Sequence, residues 1–452
     1  MSRDRSSMRI VIIVPDCGEG GLFQFYNSVV PELAAIADVH LVFASPAHSP
    51  LEPRIAGATC HKLLPENAAP ILAQLLKGPL AVAPNLARAL AVAVNAWQFA
   101  RTLDPDCVEV CDWPLSSAAG VIDGAVPVIV QAHGSMGQIA VHDPTRGGAV
   151  EATLLQLIET QLFGLARNLQ TYSSANAKFW EQATNRPVAL VRPAFAVPDQ
   201  AATVSAPTDR ISIFGRLQSW KGPHVLCAAL ERLGGAAPDC DWYGSSKSWP
   251  GTALQAETYL AQSFPQAWNH SLHFRGPIDR EQVAAKMAQS RAVIVPSTWD
   301  VFNFTVVEAM AAGRPVIVSS GAGASELIEH GVNGWVFPSA DADALAAVIA
   351  FVDALSEAEL QAIGAAARAT VQRKLDPALI VAERMAAYKQ AIAAHRAAPP
   401  PPAPGWLRDL LTPGKLRNFE MQEFLSTLPL RPMLAAAADR ISAKVMPKRR
   451  RR

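Results

Sequence analysis

Residues 293–318 (VIVPSTWDVFNFTVVEAMAAGRPVIV) contain two short apolar runs separated by a segment of helical character. The first run ends at a proline followed by turn-forming residues, which predicts a buried strand and then a loop. Asn303 is a suitable N-cap for a helix over about residues 304–312, and Gly313 suits its C-terminal end. The second apolar run, 316–319, predicts another strand. The stretch is therefore a predicted strand–loop–helix–strand unit, and such units bind ligands at the carboxyl ends of their strands.

Two carboxylates frame this loop and helix, Asp300 before the helix and Glu308 one turn into it. The backbone N–H groups of Phe304 and Thr305 have no partner within the helix, and with the helix dipole they favour a phosphate or diphosphate. Carboxylates accept hydrogen bonds from hydroxyl groups and repel phosphate, so a carboxylate on each side favours a nucleotide-sugar. The alternative from this stretch alone is a capped core helix with one solvated glutamate.

A second segment of this kind, residues 215–222 (GRLQSWKG), follows a predicted strand at 211–214. Arg216 and Lys221 lie five residues apart, each beside a glycine, and Pro223 suits the first position of a helix. Arginine offers a planar bidentate fork and lysine a point charge, so together they can clamp a diphosphate. The alternative is two solvated surface cations.

Both segments resemble those of retaining GT-B glycosyltransferases of the glycosyltransferase family 4 type. GRLQSWKG matches the family's G-R-x-x-x-x-K-G pattern in full. Asp300 and Glu308 stand where the family has two glutamates, and AMAAGRPVI at 309–317 continues the match. Val301 and Asn303 replace two glycines of the family pattern, which is compatible with diphosphate binding but does not select a donor sugar.

The resemblance implies an α/β fold of the GT-B class, in which two Rossmann-like doubly wound domains face each other across a cleft. It is dense over about residues 210–350 and diffuse over 8–200. With 452 residues, the chain is long enough for two such domains. We expect an N-terminal domain on the acceptor side (1–198), a C-terminal domain on the donor side (208–395), and a Pro-rich linker with a basic tail (396–452).

The N-terminal part contributes fewer candidate residues. A buried strand at 9–14 precedes a glycine loop with Gly20 and Gly21, which the resemblance places near the donor phosphate or the acceptor. The alternative is a tight turn that needs glycine for a positive φ. His133 follows a predicted strand at 126–131 and matches the histidine that lies beside the donor sugar in the family. His142 and Asp143 show no metal-ligand spacing and are predicted to lie on the surface.

The resemblance implies roles for these residues. Arg216, Lys221 and the helix start bind the diphosphate, Glu308 accepts hydrogen bonds from the ribose, and Asp300 accepts them from the donor sugar. The catalytic set also includes His133. The predicted donor-binding residues are Gly20, Gly21, Gly215, Arg275, Gly276, Phe302, Asn303, Phe304 and Thr305.

Composition and charge limit the classes of partner, cofactor and cellular location that fit this chain. The net charge of +1 argues against nucleic-acid binding. The six cysteines form no C-x-x-C pair, which argues against a zinc site. The Asp-x-Asp triplets at 104/106, 239/241 and 341/343 lack a strand-end context, so no metal is predicted, and no other cofactor is predicted either. No secretory or membrane-spanning segment is apparent, which predicts a cytoplasmic protein.

Residues 405–452 carry eleven Lys or Arg against four Asp or Glu, which suggests peripheral attachment to an anionic membrane surface with a lipid-linked acceptor. The alternative for this tail is a basic end that only aids solubility.

The predicted function is transfer of a sugar from a nucleotide-diphospho-sugar to a glycan or a lipid-linked acceptor. Two alternatives remain open. A nucleotide-dependent oxidoreductase would share the α/β fold, but its G-x-G-x-x-G motif is missing. A catalytically inactive scaffold of the same family is compatible with the substitutions Asp300 and Asn303 in the central loop.

Overall fold

The computed structural model describes residues 7–15, 21–45, 52–143, 149–198 and 208–411. Its strands are β1 (Arg9–Val14), β2 (Asp38–Ala44), β3 (Thr59–Leu63), β4 (Cys107–Cys111), β5 (Val128–Ala132), β6 (Asn168–Thr171), β7 (Ala189–Leu190), β8 (Ile211–Phe214), β9 (Cys240–Tyr243), β10 (Leu272–Gly276), β11 (Val293–Val295), β12 (Val316–Ser319) and β13 (Trp335–Phe337).

The α-helices are α1 (Gly21–Ala34), α2 (Ala69–Leu75), α3 (Pro84–Thr102), α4 (Ala118–Asp123), α5 (Met136–His142), α6 (Ala149–Leu165), α7 (Ser174–Thr184), α8 (Pro223–Leu233), α9 (Ala256–Ser263), α10 (Arg280–Gln289), α11 (Phe304–Ala311), α12 (Ala342–Asp353), α13 (Glu357–Lys374), α14 (Pro377–Ala397) and α15 (Gly405–Leu411).

The strands form two parallel sheets, one in each domain. The first sheet has the order β3-β2-β1-β4-β5-β6-β7 and the second β10-β9-β8-β11-β12-β13. Five of the six residues of β1 are buried, because helices cover both faces of the sheet and the strand is apolar throughout. The prediction of two Rossmann-like doubly wound domains is confirmed.

The strand–loop–helix–strand unit predicted for residues 293–318 forms as expected. Strands β11 and β12 pair in parallel, with Val293 opposite Val316, and α11 connects them. Each sheet reverses its strand order next to the first strand of its domain, at β1/β4 and at β8/β11. Ligands bind at such switch points, beyond the carboxyl ends of the strands. The candidate residues of both domains follow these ends.

The C-terminal helix α14 crosses back to the first domain. Arg384 on this helix is fully buried and pairs with the carboxylate of Glu109 on β4, which also accepts a hydrogen bond of 2.6 Å from the Tyr388 hydroxyl. Where the chain enters and leaves the second domain, the Phe195 N–H donates to the Leu375 carbonyl at 2.8 Å. The segments by which the chain enters and leaves the second domain therefore lie side by side.

The segment after α14 does not extend away from the domains as a spacer. The Arg167 side chain donates to the carbonyls of Ala394, Ala398 and Pro399, and Trp406 and Leu407 of α15 are buried in the core of the first domain. Burial of the apolar side chains of α15 outweighs the extended preference of the prolines before it. The first domain thus includes residues up to 411, and the rest of the predicted tail lies outside the described residues.

Candidate active site

The loop after β8 reaches the loop after β11 because Gly222 has no side chain. Gly222 has a φ of +76°, and a Cβ atom on it would lie 1.9 Å from the carbonyl oxygen of Pro296. The start of this loop is fixed as well, since the Trp242 indole N–H donates to the Gly215 carbonyl at 2.8 Å. The two segments that the sequence predicted to bind a ligand therefore meet at the carboxyl edge of the second sheet.

Lys221 and Asp300 form an ion pair across this meeting point. The Lys221 Nζ lies 2.5 Å from the Asp300 Oδ2, and the two side chains are only 19% and 15% exposed. The ammonium also lies 4.8 Å from the centre of the Trp220 ring, in a cation–π contact. Two residues predicted to contact the donor are thus in direct contact, and Arg216 lies half-buried in the same loop.

The start of α11 differs in one respect from the sequence prediction. Asn303 has a φ of +77°, a conformation that suits glycine, and its side-chain oxygen accepts a hydrogen bond of 3.1 Å from the Thr305 N–H. The expectation of a free amide at Thr305 was therefore wrong, because an asparagine at the N-cap satisfies it. A phosphate at this helix start has to compete with the Asn303 side chain for this amide.

Two further contacts fix the helix start. The Asn303 amide lies 3.2 Å from the Ser297 hydroxyl, and the Thr305 hydroxyl lies 3.5 Å from the carbonyl of Phe214, the last residue of β8. One turn along the helix, Glu308 is half-buried, and this burial raises the pKa of its carboxyl, although Arg280 acts to lower it. The second carboxylate of the sequence pattern therefore sits in a partly desolvated position.

On the first domain, His133 is enclosed by aromatic side chains. Both of its ring nitrogens contact tyrosine hydroxyls, Nδ1 that of Tyr172 and Nε2 that of Tyr26 at 3.2 Å, and the Phe25 ring lies edge-on at 5.0 Å. Burial lowers the pKa of His133 well below its usual value, and the charge of Arg384 lowers it further. Both effects favour the neutral imidazole over the imidazolium.

The backbone at His133 is held by Asp112, a buried residue that directly follows β4. Its carboxylate accepts hydrogen bonds of 3.1 Å from the N–H groups of both His133 and Gly134. Burial raises the pKa of Asp112 to about 6, although these two hydrogen bonds act to lower it. Only the fold reveals that Asp112 holds this turn, because its partners lie 21 and 22 residues along the chain.

Sequence analysis also missed Tyr172, which connects the two domains at this point. It follows β6, and its ring centre lies 5.9 Å from that of Phe302 and 6.4 Å from that of Phe304. His133 is thereby linked through one aromatic residue to the start of α11. No motif marks a tyrosine at the end of a strand, so this contact could not be predicted from the sequence.

The remaining predicted residues lie in several places. Arg275 is exposed, and its Nε lies 2.7 Å from Asp241 on β9. Gly276 ends β10 with a φ of +74°, and its carbonyl accepts a hydrogen bond of 2.9 Å from the Gly244 N–H. Gly21 begins α1, where an added Cβ atom would meet no atom of the described residues within 4 Å, and Gly20 lies outside the described residues.

Among the residues that the structure describes, no group of three or more His, Cys, Asp and Glu side chains is arranged to hold a metal ion. None of the helices in the described part of the chain combines the length and the apolar character needed to cross a membrane. The polar groups gathered at the edge of the second sheet are instead a lysine, an arginine, two carboxylates and a helix start, which suit an anion that also carries hydroxyl groups.

Residues 208–352 match the model of a family described as glycosyl transferases, group 1. This match lies within the second domain and covers about a third of the chain. The matched residues include Arg216, Lys221, Asp300 and Glu308.

Curated relatives match over parts of their length. An uncharacterized glycosyltransferase of Methanocaldococcus jannaschii is 40% identical over 70 residues, which are 15% of this chain and 18% of that protein. A D-inositol 3-phosphate glycosyltransferase of Mycolicibacterium smegmatis is 28% identical over 212 residues, 45% of each protein. The chain thus spans less than half the length of these relatives.

Solved structures match over nearly their whole length. HepE of Anabaena, in complex with UDP-glucose, has a TM-score of 0.58 at 19% identity, covering 84% of this chain and 99% of its own. Sucrose-phosphate synthase of Thermosynechococcus elongatus has a TM-score of 0.64 at 18% identity, covering 86% and 100%. At these identities the likeness shows the fold, and it confirms the GT-B arrangement of the two domains.

Proposed function

We propose that the protein transfers a sugar from a nucleotide-diphospho-sugar to a glycan or a lipid-linked acceptor, with retention of the anomeric configuration, as in glycosyltransferase family 4. The observation that carries the proposal is the contact of the Lys221 and Asp300 side chains, at 2.5 Å, in two loops that meet beside the start of α11. The family match of residues 208–352 and the GT-B fold support it.

In this proposal the cations act on the leaving group. Arg216, Lys221 and the amide end of α11 bind the diphosphate and stabilise the negative charge that develops on it as the bond to the sugar breaks. A sugar hydroxyl takes the place of the Lys221 ammonium as a hydrogen-bond partner of Asp300, and Glu308 accepts from the ribose. The departing phosphate takes the proton of the acceptor hydroxyl, so the reaction needs neither a separate protein base nor a metal.

A thermal-shift screen against UDP, GDP and ADP and their sugars tests the proposal. A ligand at 100 times its Kd stabilises the folded state by about 2.7 kcal/mol, which a shift in Tm would show. We expect one nucleotide series to raise the Tm, and transfer assays with the matching sugars to give product. If no nucleotide raises the Tm, the proposal is overturned.

An inactive scaffold is the second candidate, because the Asn303 side chain occupies the Thr305 amide. A nucleotide that binds while no panel sugar is transferred or hydrolysed would favour the scaffold over the enzyme.

Replacing Glu308 with glutamine should weaken nucleotide binding and raise the Tm at neutral pH. The folded-state pKa of Glu308 is raised by burial, so the folded protein holds this proton more tightly than the unfolded chain. Stability therefore falls as pH rises from the unfolded pKa through the folded one, and the uncharged amide avoids this loss. Calorimetry with the nucleotide and Tm measurements from pH 4 to pH 8 would check both effects.

The matched control for Glu308→Gln is Glu281→Gln, which removes an exposed carboxylate from the neighbouring helix α10. It should leave both the nucleotide affinity and the pH dependence of the Tm unchanged. Unaltered nucleotide binding in Glu308→Gln would contradict the ribose role.

We further propose that the basic C-terminal tail attaches the protein to an anionic membrane surface at the cytoplasmic face, where a lipid-linked acceptor would lie. Deletion of residues 412–452 should abolish binding to vesicles that contain phosphatidylglycerol, because each basic residue near such a surface contributes about 1 kcal/mol. The cut is placed after residue 411 because Trp406 and Leu407 are part of the core of the first domain. Vesicle sedimentation measures the effect.

Changing residues 448–452 (KRRRR) to glutamine provides a charge-only variant of the full-length chain. It should bind anionic vesicles more weakly than the unmodified protein, and phosphatidylcholine vesicles should bind neither protein. Equal binding of the deletion variant and the full chain would rule out this role of the tail.

A further inference from the structure

We propose that His142 and Asp143, at the end of α5 in the first domain, are positioning residues that shape the donor site of the second domain. This inference rests on the proposed function. The sequence predicted both residues to lie on the surface, which was wrong for Asp143, whose side chain is buried and faces the second domain. Each of the two residues holds one of the loops that carry the Lys221–Asp300 pair.

His142 holds the loop that carries Asp300. Its imidazole stacks on the indole of Trp299, with ring centres 4.2 Å apart and ring planes 9° from parallel. The Trp299 ring also packs against Trp220 at 5.3 Å, and Trp220 is the ring over which the Lys221 ammonium lies. A row of three rings in contact therefore runs from the first domain to the lysine of the donor site.

Asp143 holds the loop that carries Lys221. Its carboxylate accepts a short hydrogen bond from the side-chain amide of Gln218. The Gln218 backbone carbonyl in turn accepts the Lys221 N–H at 2.9 Å, which closes the turn that ends at Lys221. The Asp143 carboxylate of the first domain thus holds Gln218, the residue at which this turn begins.

The residue after Asp300 is held from the first domain as well. The Ser173 hydroxyl donates to the Val301 carbonyl at 2.7 Å, and a Cβ atom on Gly134 would lie 3.3 Å from the Val301 side chain. The residues on both sides of Asp300 therefore contact the first domain. A loop held in one conformation loses less entropy when it binds a ligand, so these contacts favour tight donor binding.

Two substitutions of His142 distinguish positioning of the Asp300 loop by a stacked ring from simple filling of space. His142→Leu keeps most of the side-chain volume but removes the ring that stacks on Trp299, whereas His142→Phe keeps a ring. We expect His142→Leu to raise the Kd of the nucleotide found in the thermal-shift screen at least about tenfold, because small displacements of binding groups have large effects. His142→Phe should restore the affinity to within about twofold of the unmodified protein.

Asp143→Ala is a second, independent variant and should also raise the nucleotide Kd about tenfold, since Gln218 loses its partner. Val141→Ala is the matched control, because Val141 is 63% exposed on the same turn of α5. Calorimetry gives each Kd, and steady-state kinetics should show the donor KM rising more than kcat falls.

Three outcomes are distinguishable. Weaker binding in His142→Leu and Asp143→Ala, with rescue by His142→Phe, supports the proposal. Unchanged nucleotide Kd in both variants, while Lys221→Ala loses binding, overturns the positioning role and leaves the proposed function standing. Absence of nucleotide binding by the unmodified protein rejects the proposed function and the positioning role together.

Discussion

Replacing Lys221 with alanine should lower kcat for sugar transfer by about 10²-fold or more, the size of loss seen when one donor to a developing negative charge is removed. Lys221 lies in a loop that contacts the end of β11, beside the start of α11, where charge builds up on the departing diphosphate. Arg216→Ala should have a comparable effect. Initial-rate kinetics with saturating donor separates loss of kcat from loss of donor affinity.

Asp300 complicates this experiment, since removal of Lys221 leaves a carboxylate that is only 15% exposed without its ion-pair partner. The double variant Lys221→Ala/Asp300→Asn removes that charge, so it shows whether the loss comes from the missing cation or from the unpaired carboxylate. Lys286→Ala, on the exposed face of α10, is the matched control for a lost lysine. Near-normal turnover in both Lys221→Ala and Arg216→Ala would remove the proposed clamp.

Replacing Arg384 with methionine should destabilise the protein by about 3–5 kcal/mol, because it leaves the buried Glu109 carboxylate without its cation. Glu109 would keep the hydrogen bond from Tyr388 and lose its contacts with the guanidinium. For a domain of this size, the loss corresponds to a fall in Tm on the order of 10 °C. Thermal unfolding followed by circular dichroism measures it.

The double variant Glu109→Leu/Arg384→Met tests whether the unpaired charge is the cause. Replacing both members of a buried ion pair by apolar residues is often neutral, so the double variant should regain most of the lost Tm. Arg396→Ala, on the exposed face of the same helix, should change the Tm little. A double variant as unstable as Arg384→Met would show that the guanidinium stabilises α14 by packing over Phe25 rather than by its charge.

The sequence predicted best where the chemistry is local. The apolar runs that became β1, β11 and β12 and the N-cap at Asn303 appear at their predicted places, because strand burial and helix capping depend on residues close together in the chain. It predicted less well where a side chain had two possible partners. Asn303 is the N-cap that the sequence predicts, but the sequence does not show that its side chain accepts the hydrogen bond of the Thr305 amide.

The alternation of apolar runs, glycines and caps by itself determined the two parallel sheets and the loops that end at Lys221 and Asp300. The tertiary structure alone decided which distant side chains meet: Asp112 with the turn at His133, Tyr172 with the start of α11, and His142 with Trp299. Asp112 and His133 follow neighbouring strands of the first sheet, whereas the other two contacts join the two domains. Which strands are neighbours and how the two sheets face each other are properties of the tertiary structure, and a periodic pattern along the chain carries no record of them.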